Sequence, residues 1–263
     1  MRRYLHIVKA VFMTMIAYPV STIFTLIGNL AYITVVYFLW QSIYSGSDSL
    51  HGMTFNQTFV YLALSGSILI AFKTYTDWSI SNHIIDGSIV MDLLKPLDYQ
   101  AQAFAGSLGF ALSQGLLITL PSVLLMLIFF RGGFPIGINL LVFPISLGLA
   151  YILSFCLDYV VGLSSFYTQS LWGIAITKDV IVGVLSGALI PLPFFPDGVR
   201  QVLQLLPFQA IYSIPLQIAT SSDLHPADYL QLLAVQLAWV AVFLILSRLF
   251  FRRAIRVLVV NGG

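Results

Sequence analysis

The chain has 263 residues, of which 59% are hydrophobic and 8% are charged, and its formal net charge is +2. A soluble domain carries about 25% charged residues, and a water-soluble core of this length could not bury so much apolar surface, so the composition predicts an all-α integral membrane protein. The small net charge argues against nucleic acid as a partner, and a single cysteine, Cys156, excludes an intramolecular disulfide and a cysteine metal cluster.

Residues 1–18 separate their basic and apolar side chains onto opposite sides when the segment is drawn as a helix. Arg2, Arg3 and Lys9 lie on the basic side. This pattern predicts an amphipathic helix in the membrane interface, with its basic side toward the lipid headgroups. Because Lys9 interrupts the apolar run and no clear small-x-small cleavage site follows, we expect the segment to be retained and not cleaved as a signal peptide.

Six transmembrane spans are predicted from the apolar runs that follow. They cover about residues 20–40, 57–75, 103–130, 138–159, 174–192 and 229–251. Residues 160–178 are apolar but carry several Ser and Thr side chains, and we expect a short turn there. No fixed-period repeat divides the chain, so residues 1–263 are predicted to form one transmembrane domain.

The placement of the basic residues orients these spans. An even number of spans puts both termini on one side of the membrane, and ten of the 12 Lys and Arg residues lie on that side. Arg131 and Arg200 lie on the other side. The positive-inside rule therefore predicts that both termini are cytoplasmic.

The motifs of a catalytic or ATP-binding chain are missing from the sequence. A phosphate-binding loop needs a lysine that follows a glycine, and none of the four lysines does so. The four histidines lie far apart and never form a His-x-x-x-His pair, which argues against a zinc site. We therefore expect no catalytic residue, cofactor or metal in this chain.

The polar segment 76–100, between predicted spans two and three, carries the most informative pattern. Ile80, Ile84 and Met91 fall at helical spacing, and Gly87 interrupts the helix between them. The segment is predicted to form a short helix, a turn at Asp86-Gly87 and a second short helix that stops before a proline. A short amphipathic segment of this kind is suited to docking on a soluble partner; alternatively, it is an interfacial linker that covers helix ends.

The same segment resembles a known family motif. The run Gly87-Ser88-Ile89, followed by Leu93-Leu94-Lys95-Pro96, resembles the Gly-Thr-Leu-Glu…Leu-Leu-x-x-Pro signature of ATP-binding-cassette (ABC) type-2 exporter permeases. In that family this segment is the coupling helix that contacts the nucleotide-binding subunit. Val90 stands where the family has an acidic residue, and Asp92 lies two positions further on. The resemblance implies the following ATPase-coupling residues: Ile80, Ile84, Ile85, Asp86, Gly87, Ser88, Ile89, Met91 and Leu94.

A second resemblance lies in residues 191–226. The family has a glycine after the middle of span five, a proline-rich turn and short external helices that end in a Leu-Pro pair. The matching positions here are Gly187, Pro191, Pro193, Pro196 and Pro207. Since these prolines forbid a continuous helix, we expect re-entrant or external helices before the last span. The alternative is a structural plug that makes no contact with substrate.

Charged residues near the predicted ends of spans four and five offer a further candidate site. Asp158 falls in an apolar run, where a carboxylate usually has a partner. One hypothesis is an ion pair with Lys178 at a cytoplasmic gate; the other is that Asp158 lies near the inner interface. Lys178 and Asp179 together are also typical of an interface anchor at the start of a span.

The resemblance also implies an assembly. Two permease copies, or this chain and a related one, would pair with two cytoplasmic ABC ATPase subunits in the bacterial cytoplasmic (inner) membrane, in contact with membrane lipid. ATP and Mg²⁺ would bind on the partner ATPase, and the permease would move a substrate out of the cell. An ion-coupled secondary carrier is the alternative, although it would need paired carboxylates or broken helices at the membrane midplane. A membrane assembly without transport is a third interpretation.

Overall fold

The computed structural model describes residues 2–130, 133, 135, 137–168, 170–221 and 224–257. Arg131, counted above on the non-terminal side, lies outside these residues. The chain is built from α-helices, which are α1 (Arg2–Ile16), α2 (Pro19–Ile43), α3 (Phe55–Phe72), α4 (Thr76–Ile85), α5 (Ile89–Leu93), α6 (Tyr99–Gln114), α7 (Leu120–Phe129), α8 (Asn139–Leu163), α9 (Trp172–Leu185), α10 (Asp197–Leu205), α11 (Ser213–Thr220) and α12 (Pro226–Ala254).

Short elements connect these helices. Strands β1 (Ser49–Leu50) and β2 (Met53–Thr54) form an antiparallel hairpin between α2 and α3, with Ser49 opposite Thr54. A π-helical turn, Gly115–Thr119, joins α6 to α7. Single 3₁₀ turns cover Ser164–Phe166, Leu192–Phe194, Pro207–Ala210 and Ile255–Val257.

Within the described residues, five helical stretches are long and apolar enough to cross a membrane. They are Pro19–Ile43, Phe55–Ile85, Tyr99–Phe129, Asn139–Phe166 and Pro226–Val257. They correspond to predicted spans one, two, three, four and six, and they show a multi-pass all-α membrane protein. The turn predicted within residues 160–178 separates Phe166 from Trp172, and Gln169 in that turn lies outside the described residues.

The predicted fifth span, about residues 174–192, is wrong as a continuous helix. Its helix, α9, has 14 residues and is therefore about 21 Å long, whereas the hydrocarbon core of a bilayer is about 30 Å thick. The helix ends at Leu185 because Gly187 adopts a left-handed conformation, with φ of +82°, and prolines follow. Helix length alone thus gives five spans and not six.

The core lies around α3, which is buried along nearly its whole length. Helix α11 is inserted beside it and against α8, so that Ile214, Leu216 and Ile218 are fully buried. Polar side chains also join the helices. The Asn29 amide of α2 donates to the hydroxyls of Ser67 and Ser122, at 3.0 and 2.8 Å. Such interhelical hydrogen bonds are typical of membrane-helix packing.

The predicted amphipathic helix of residues 1–18 is observed as α1, which has no buried residue and lies against α6. Gly109 permits this approach, because a Cβ placed there would lie 2.6 Å from the Val8 carbonyl oxygen. The Tyr4 hydroxyl accepts a hydrogen bond from the Asp98 backbone N–H at 3.1 Å. The position of α1 in a membrane interface stays a prediction.

Candidate functional site

The segment 76–100 folds as two short helices with a turn between them. The chain leaves α3 through Tyr75, whose φ of 53° is left-handed, and α4 begins at the next residue. Between α4 and α5, Gly87 has a φ of +79°. The Asp86 carboxylate accepts a hydrogen bond from the Ser88 backbone N–H at 2.8 Å and closes the turn. The positive φ favours glycine here, whereas space does not, because a Cβ at this position would meet nothing within 4 Å.

Apolar side chains are exposed around this turn. Ile85, Met91 and Leu94 are 55%, 66% and 74% exposed. Large apolar groups that face water are typical of surfaces that contact another protein or a membrane. We call Ile85, Met91 and Leu94 the apolar tip.

Two of the predicted coupling residues do not lie on this surface. Ile80 and Ile89 are buried, with exposures of 3% and 0%. They belong to a core cluster that includes Tyr159 and Leu163 of α8. Of the residues that fall at helical spacing, Ile80 is thus buried in the interior of the chain, whereas Met91 is exposed. The role of these residues in ATPase coupling stays a prediction.

Hydrogen bonds and ion pairs hold α5 in place. The Asp92 carboxylate accepts from the Lys95 ammonium at 2.6 Å and lies 3.0 Å from His83 Nδ1. Partial burial acts to raise the pKa of Asp92, but the interactions with Lys95, Gln102 and His83 outweigh it and leave that pKa below its usual value. At the turn, hydrogen bonds from Ser88 lower the pKa of Asp86. Both carboxyl groups are therefore held in the charged form.

Helix α4 packs directly against the end of α8. A Cβ on Gly162 would lie 2.9 Å from the Asp77 carbonyl oxygen and 2.9 Å from Ile80 Cβ, so only glycine allows the two helices to be this close. One turn further on, the Ser165 hydroxyl donates to the Ser81 hydroxyl at 2.7 Å. These contacts fix α4 to α8 and to the 3₁₀ turn that follows it.

A cluster of charged side chains ties a third helix to this pair. The Lys178 ammonium of α9 lies 2.6 Å from Asp158 Oδ1, 2.9 Å from Asp77 Oδ2 and 3.0 Å from Asp179 Oδ1. The side chains of Lys178, Asp158 and Asp77 are only 14%, 11% and 4% exposed. Buried charges of this kind depend on one another, because removal of one partner leaves an uncompensated charge. We call Asp77, Asp158, Lys178 and Asp179 the charge cluster.

The structure thus contains the ion pair between Asp158 and Lys178, and Asp158 is buried between helices. It also adds a residue that sequence reasoning missed. Asp77 lies in the segment assigned to docking, yet its carboxylate turns inward to Lys178. The sequence offered one signal for Asp77, which is its position in the first turn of a predicted helix. An acidic residue there usually indicates only a favourable interaction with the helix dipole. A role of the cluster as a gate stays a prediction.

The residues predicted for the external region lie at the other end of α3. After α9, the carbonyl oxygens of Gly187 and Ala188 accept hydrogen bonds from the Tyr61 and Ser65 hydroxyls, at 2.9 and 2.7 Å. Irregular backbone at membrane depth is tolerated where protein groups satisfy it in this way. The prolines then begin or flank short turns and helices. Pro191 and Pro193 lie at the Leu192–Phe194 turn, Pro196 precedes α10, and Pro207 opens the next 3₁₀ turn.

Comparison with known families identifies the chain. The family model described as ABC-2 family transporter protein matches residues 30–262, which include segment 76–100, the charge cluster and the proline-rich region. The chain belongs to the ABC-2 transporter family. No curated protein and no solved structure matches it. This ABC-2 protein is therefore the transmembrane permease component of an ABC transporter, a component that is generally not catalytic itself and that works with an ABC ATPase subunit.

Proposed function

We propose that this permease is the membrane subunit of an ATP-driven exporter in a bacterial cytoplasmic membrane, and that it is coupled to its ATPase through segment 76–100. One observation carries the proposal: Lys178 of α9 binds both Asp77 of α4 and Asp158 of α8, at 2.9 and 2.6 Å. The segment that would contact the ATPase is thus bonded directly to α9 and, through Lys178, to α8.

The apolar tip is the proposed ATPase contact. Its side chains, Ile85, Met91 and Leu94, project from the turn while the rest of the segment is held from inside by Ile80 and Ile89. Exposed apolar side chains on a short helix fit a groove of a soluble partner. Because Ile80 and Ile89 anchor the segment in the core, movement of the bound partner would displace segment 76–100 as a unit.

The charge cluster is the proposed route of that movement into the membrane. A shift of α4 moves Asp77 and, through Lys178, must either carry α9 with it or break a buried ion pair. The same shift presses on α8, because Gly162 leaves no free space between the helices. Packed elements with fixed contacts transmit such displacements as discrete rearrangements. The cluster would hold one arrangement of the spans and re-form in another, which is the gate function proposed for Asp158, Lys178 and Asp179.

A sixth membrane crossing is part of the proposal, because helix length alone accounts for only five in the described residues. Helix α9 carries Lys178 at its middle and leads at its C-terminal end into the loop held by Tyr61 and Ser65. We propose that α9 and this loop together form the sixth crossing, with residues 191–226 re-entrant from the external side. Both termini would then be cytoplasmic. Two ATPase subunits that bind ATP and Mg²⁺, and a second permease copy or related chain, would complete the assembly.

Purification of the tagged permease from its native membrane in mild detergent tests the docking step. Met91→Asp and Leu94→Asp replace exposed side chains and should leave the fold intact, yet an ABC ATPase that co-purifies with the wild type should be lost from both variants. Leu205→Asp is the matched control, because Leu205 is 76% exposed on α10, at the opposite end of the helices. The control should retain the ATPase.

Two results would contradict the proposal. If the ATPase is retained equally by the wild type and both tip variants, segment 76–100 is not its docking site. If the wild type binds no ATPase and the isolated chain moves solutes in liposomes along an ion gradient, the ion-coupled carrier is the better explanation. A second permease chain in the purified complex would identify the membrane partner.

A further inference from the structure

A polar cavity lies at the opposite end of the helices from segment 76–100. Its volume is about 530 Å³, and it is enclosed by the hairpin before α3, the start of α3, α10 and α11. Gln57 lines it in the first turn of α3, whereas the other end of that helix, at Phe72, faces the charge cluster. The volume is in the range of small-molecule sites, about 300–1,000 Å³. We call this space the glutamine cavity.

Glutamine side chains dominate its polar surface. Five of the residues that line it are Gln57, Gln201, Gln204, Gln209 and Gln217. Each primary amide offers two donors and one acceptor oxygen and carries no charge. Gln57 already accepts from the Thr54 backbone N–H, and Gln209 already donates to the Gln204 carbonyl. The side chains of Gln201, Gln204 and Gln217 can form hydrogen bonds in both directions without attracting a particular sign of charge.

The fold directs these amides into the cavity. In α11 every residue is buried except Gln217, whose neighbours Leu216 and Ile218 are fully buried against α3 and α8. In α10, Gln201 and Gln204 line the cavity, whereas Val202, which is exposed, does not line it. A polar residue on the single open face of an otherwise buried helix has no role in the core and is available to a ligand.

The charges around the cavity are balanced in the described residues. Arg200 lines the cavity, and its guanidinium is bonded to the Asp197 carboxylate at 2.7 Å. The described lining residues include no carboxylate; Ser222 and Asp223, next to the lining residue Ser221, lie outside the described part of the chain. The Tyr61 and Thr220 hydroxyls already donate to the Gly187 and Leu216 carbonyls, so toward a ligand they can only accept. The Ser213 hydroxyl and the His51 imidazole add further polar groups to the lining. This surface is complementary to an uncharged molecule that carries many hydroxyl or amide groups.

We propose that the glutamine cavity is a binding site for an uncharged polyhydroxylated ligand of the sugar class. The amides of α10 and α11 would hold the ligand hydroxyls. The site is defined by this chain alone, so its test does not depend on an ATPase or on transport.

Binding is tested on the purified chain in lipid nanodiscs by calorimetric titration with N-acetylglucosamine, which carries both hydroxyls and an amide. Gln217→Leu combined with Gln201→Leu should weaken binding about tenfold or more, as expected for the loss of two or more hydrogen bonds. Gln231→Leu is the matched control. Gln231 is exposed on α12 outside the cavity, so this variant should bind the sugar as tightly as the wild type does. Choline and glucuronate serve as cationic and anionic competitors.

A labelling experiment keeps the proposal testable if the leucine variants fold poorly. Cys156 is the only cysteine in the chain and is buried, so Gln217→Cys introduces a single accessible thiol. N-acetylglucosamine should slow the reaction of this thiol with a maleimide and leave Gln231→Cys unaffected. Equal labelling rates with and without the sugar, or tighter binding of choline or glucuronate than of the sugar, would overturn the proposal.

Discussion

Lys178 and Asp77 are 101 positions apart in the chain, yet the Lys178 ammonium donates a hydrogen bond to the Asp77 carboxylate across 2.9 Å. This contact joins the first turn of α4 to the middle of α9. The same ammonium binds Asp158 of α8, so one side chain connects three helices. The position of segment 76–100 is therefore coupled to the membrane helices through a bond that a single substitution can remove.

Replacement of Lys178 by methionine should destabilise the permease strongly. The variant keeps the volume of the side chain but leaves Asp77 and Asp158 without their shared cation. Breaking a buried ion pair on one side costs about 3–5 kcal/mol, which should appear as a lower free energy of unfolding in mixed detergent micelles. The double variant Lys178→Met with Asp158→Asn should recover part of the loss, because it removes one of the two uncompensated charges.

Lys73→Met is the matched control for this substitution. The Lys73 ammonium lies 3.6 Å from the Asp179 carboxylate, and its side chain is 57% exposed. Exposed pairs contribute about 1 kcal/mol or less, so this variant should unfold nearly as the wild type does. Equal losses in the two variants would show that the charge cluster carries no special stabilisation.

The sequence allowed prediction of the long helices but not of this contact. Apolar runs about 20 residues long identify spans whatever their neighbours are, because the bilayer sets their length. The partner of Asp158 could be suggested, since Lys178 follows after a short turn. Asp77 could not be assigned to the same cluster, because its position depends on how α4 folds back along α8, and that fold depends on Gly162.

Gly162→Ala should separate α4 from α8. The added methyl group would lie 2.9 Å from the Asp77 carbonyl oxygen and from Ile80 Cβ, so the helices must shift. Overpacking of this kind costs about 1–3 kcal/mol of stability. It should also weaken the effect of the permease on the ATPase activity of the complex. Thermal unfolding and the ATPase activity of the purified complex measure the two effects.

Gly148→Ala provides the comparison within the same helix. A Cβ at Gly148 would meet nothing within 4 Å. Alanine stabilises a helix interior by about 0.5–1 kcal/mol relative to glycine, so this variant should be as stable as the wild type or more so. If Gly162→Ala behaves in the same way, the close packing of α4 on α8 is not required.

The stability of segment 76–100 should depend on pH through Asp92. The folded state lowers the pKa of this carboxyl group, so its contribution is present above the ordinary aspartate value and is lost as the pH falls through the lower, folded value. Asp92→Asn should therefore lower the melting temperature by about 2–4 °C near neutral pH, equivalent to about 1 kcal/mol or less. The difference from the wild type should begin to shrink below about pH 4 and disappear as the pH falls through the lower, folded value.

Melting curves of both proteins from about pH 8 to about pH 3 test this expectation. Asp48→Asn, in the exposed loop that follows α2, is the control and should change the melting temperature little at any pH. A difference that grows as the pH falls would mean that Asp92 is stabilised in its protonated form, contrary to the contacts with Lys95 and His83.

The proline-rich region shows a second limit of sequence reasoning. The prolines correctly indicated that no continuous helix runs through residues 191–226, and in the described part of this region the short turns begin next to them. The early end of α9 at Leu185 depends instead on Gly187 and on the hydroxyls of Tyr61 and Ser65. These hydroxyls donate to the loop carbonyls from a helix about 120 positions away in the chain. Long-range hydrogen bonds of this type leave no local pattern.

Gly187→Ala should therefore destabilise the permease for two separable reasons. A non-glycine residue at φ of +82° carries a conformational cost of about 1–2 kcal/mol, and its Cβ would lie 2.9 Å from the Tyr61 hydroxyl oxygen. Gly52→Ala isolates the first reason, because Gly52 has a φ of +79° and a Cβ there would meet nothing within 4 Å. The free energy of unfolding should fall further for Gly187→Ala than for Gly52→Ala. Adding Tyr61→Phe to Gly187→Ala should cost less than Tyr61→Phe costs in the wild type, since the steric conflict is removed with the hydroxyl. Strict additivity of the two substitutions would show that the loop does not rest on Tyr61.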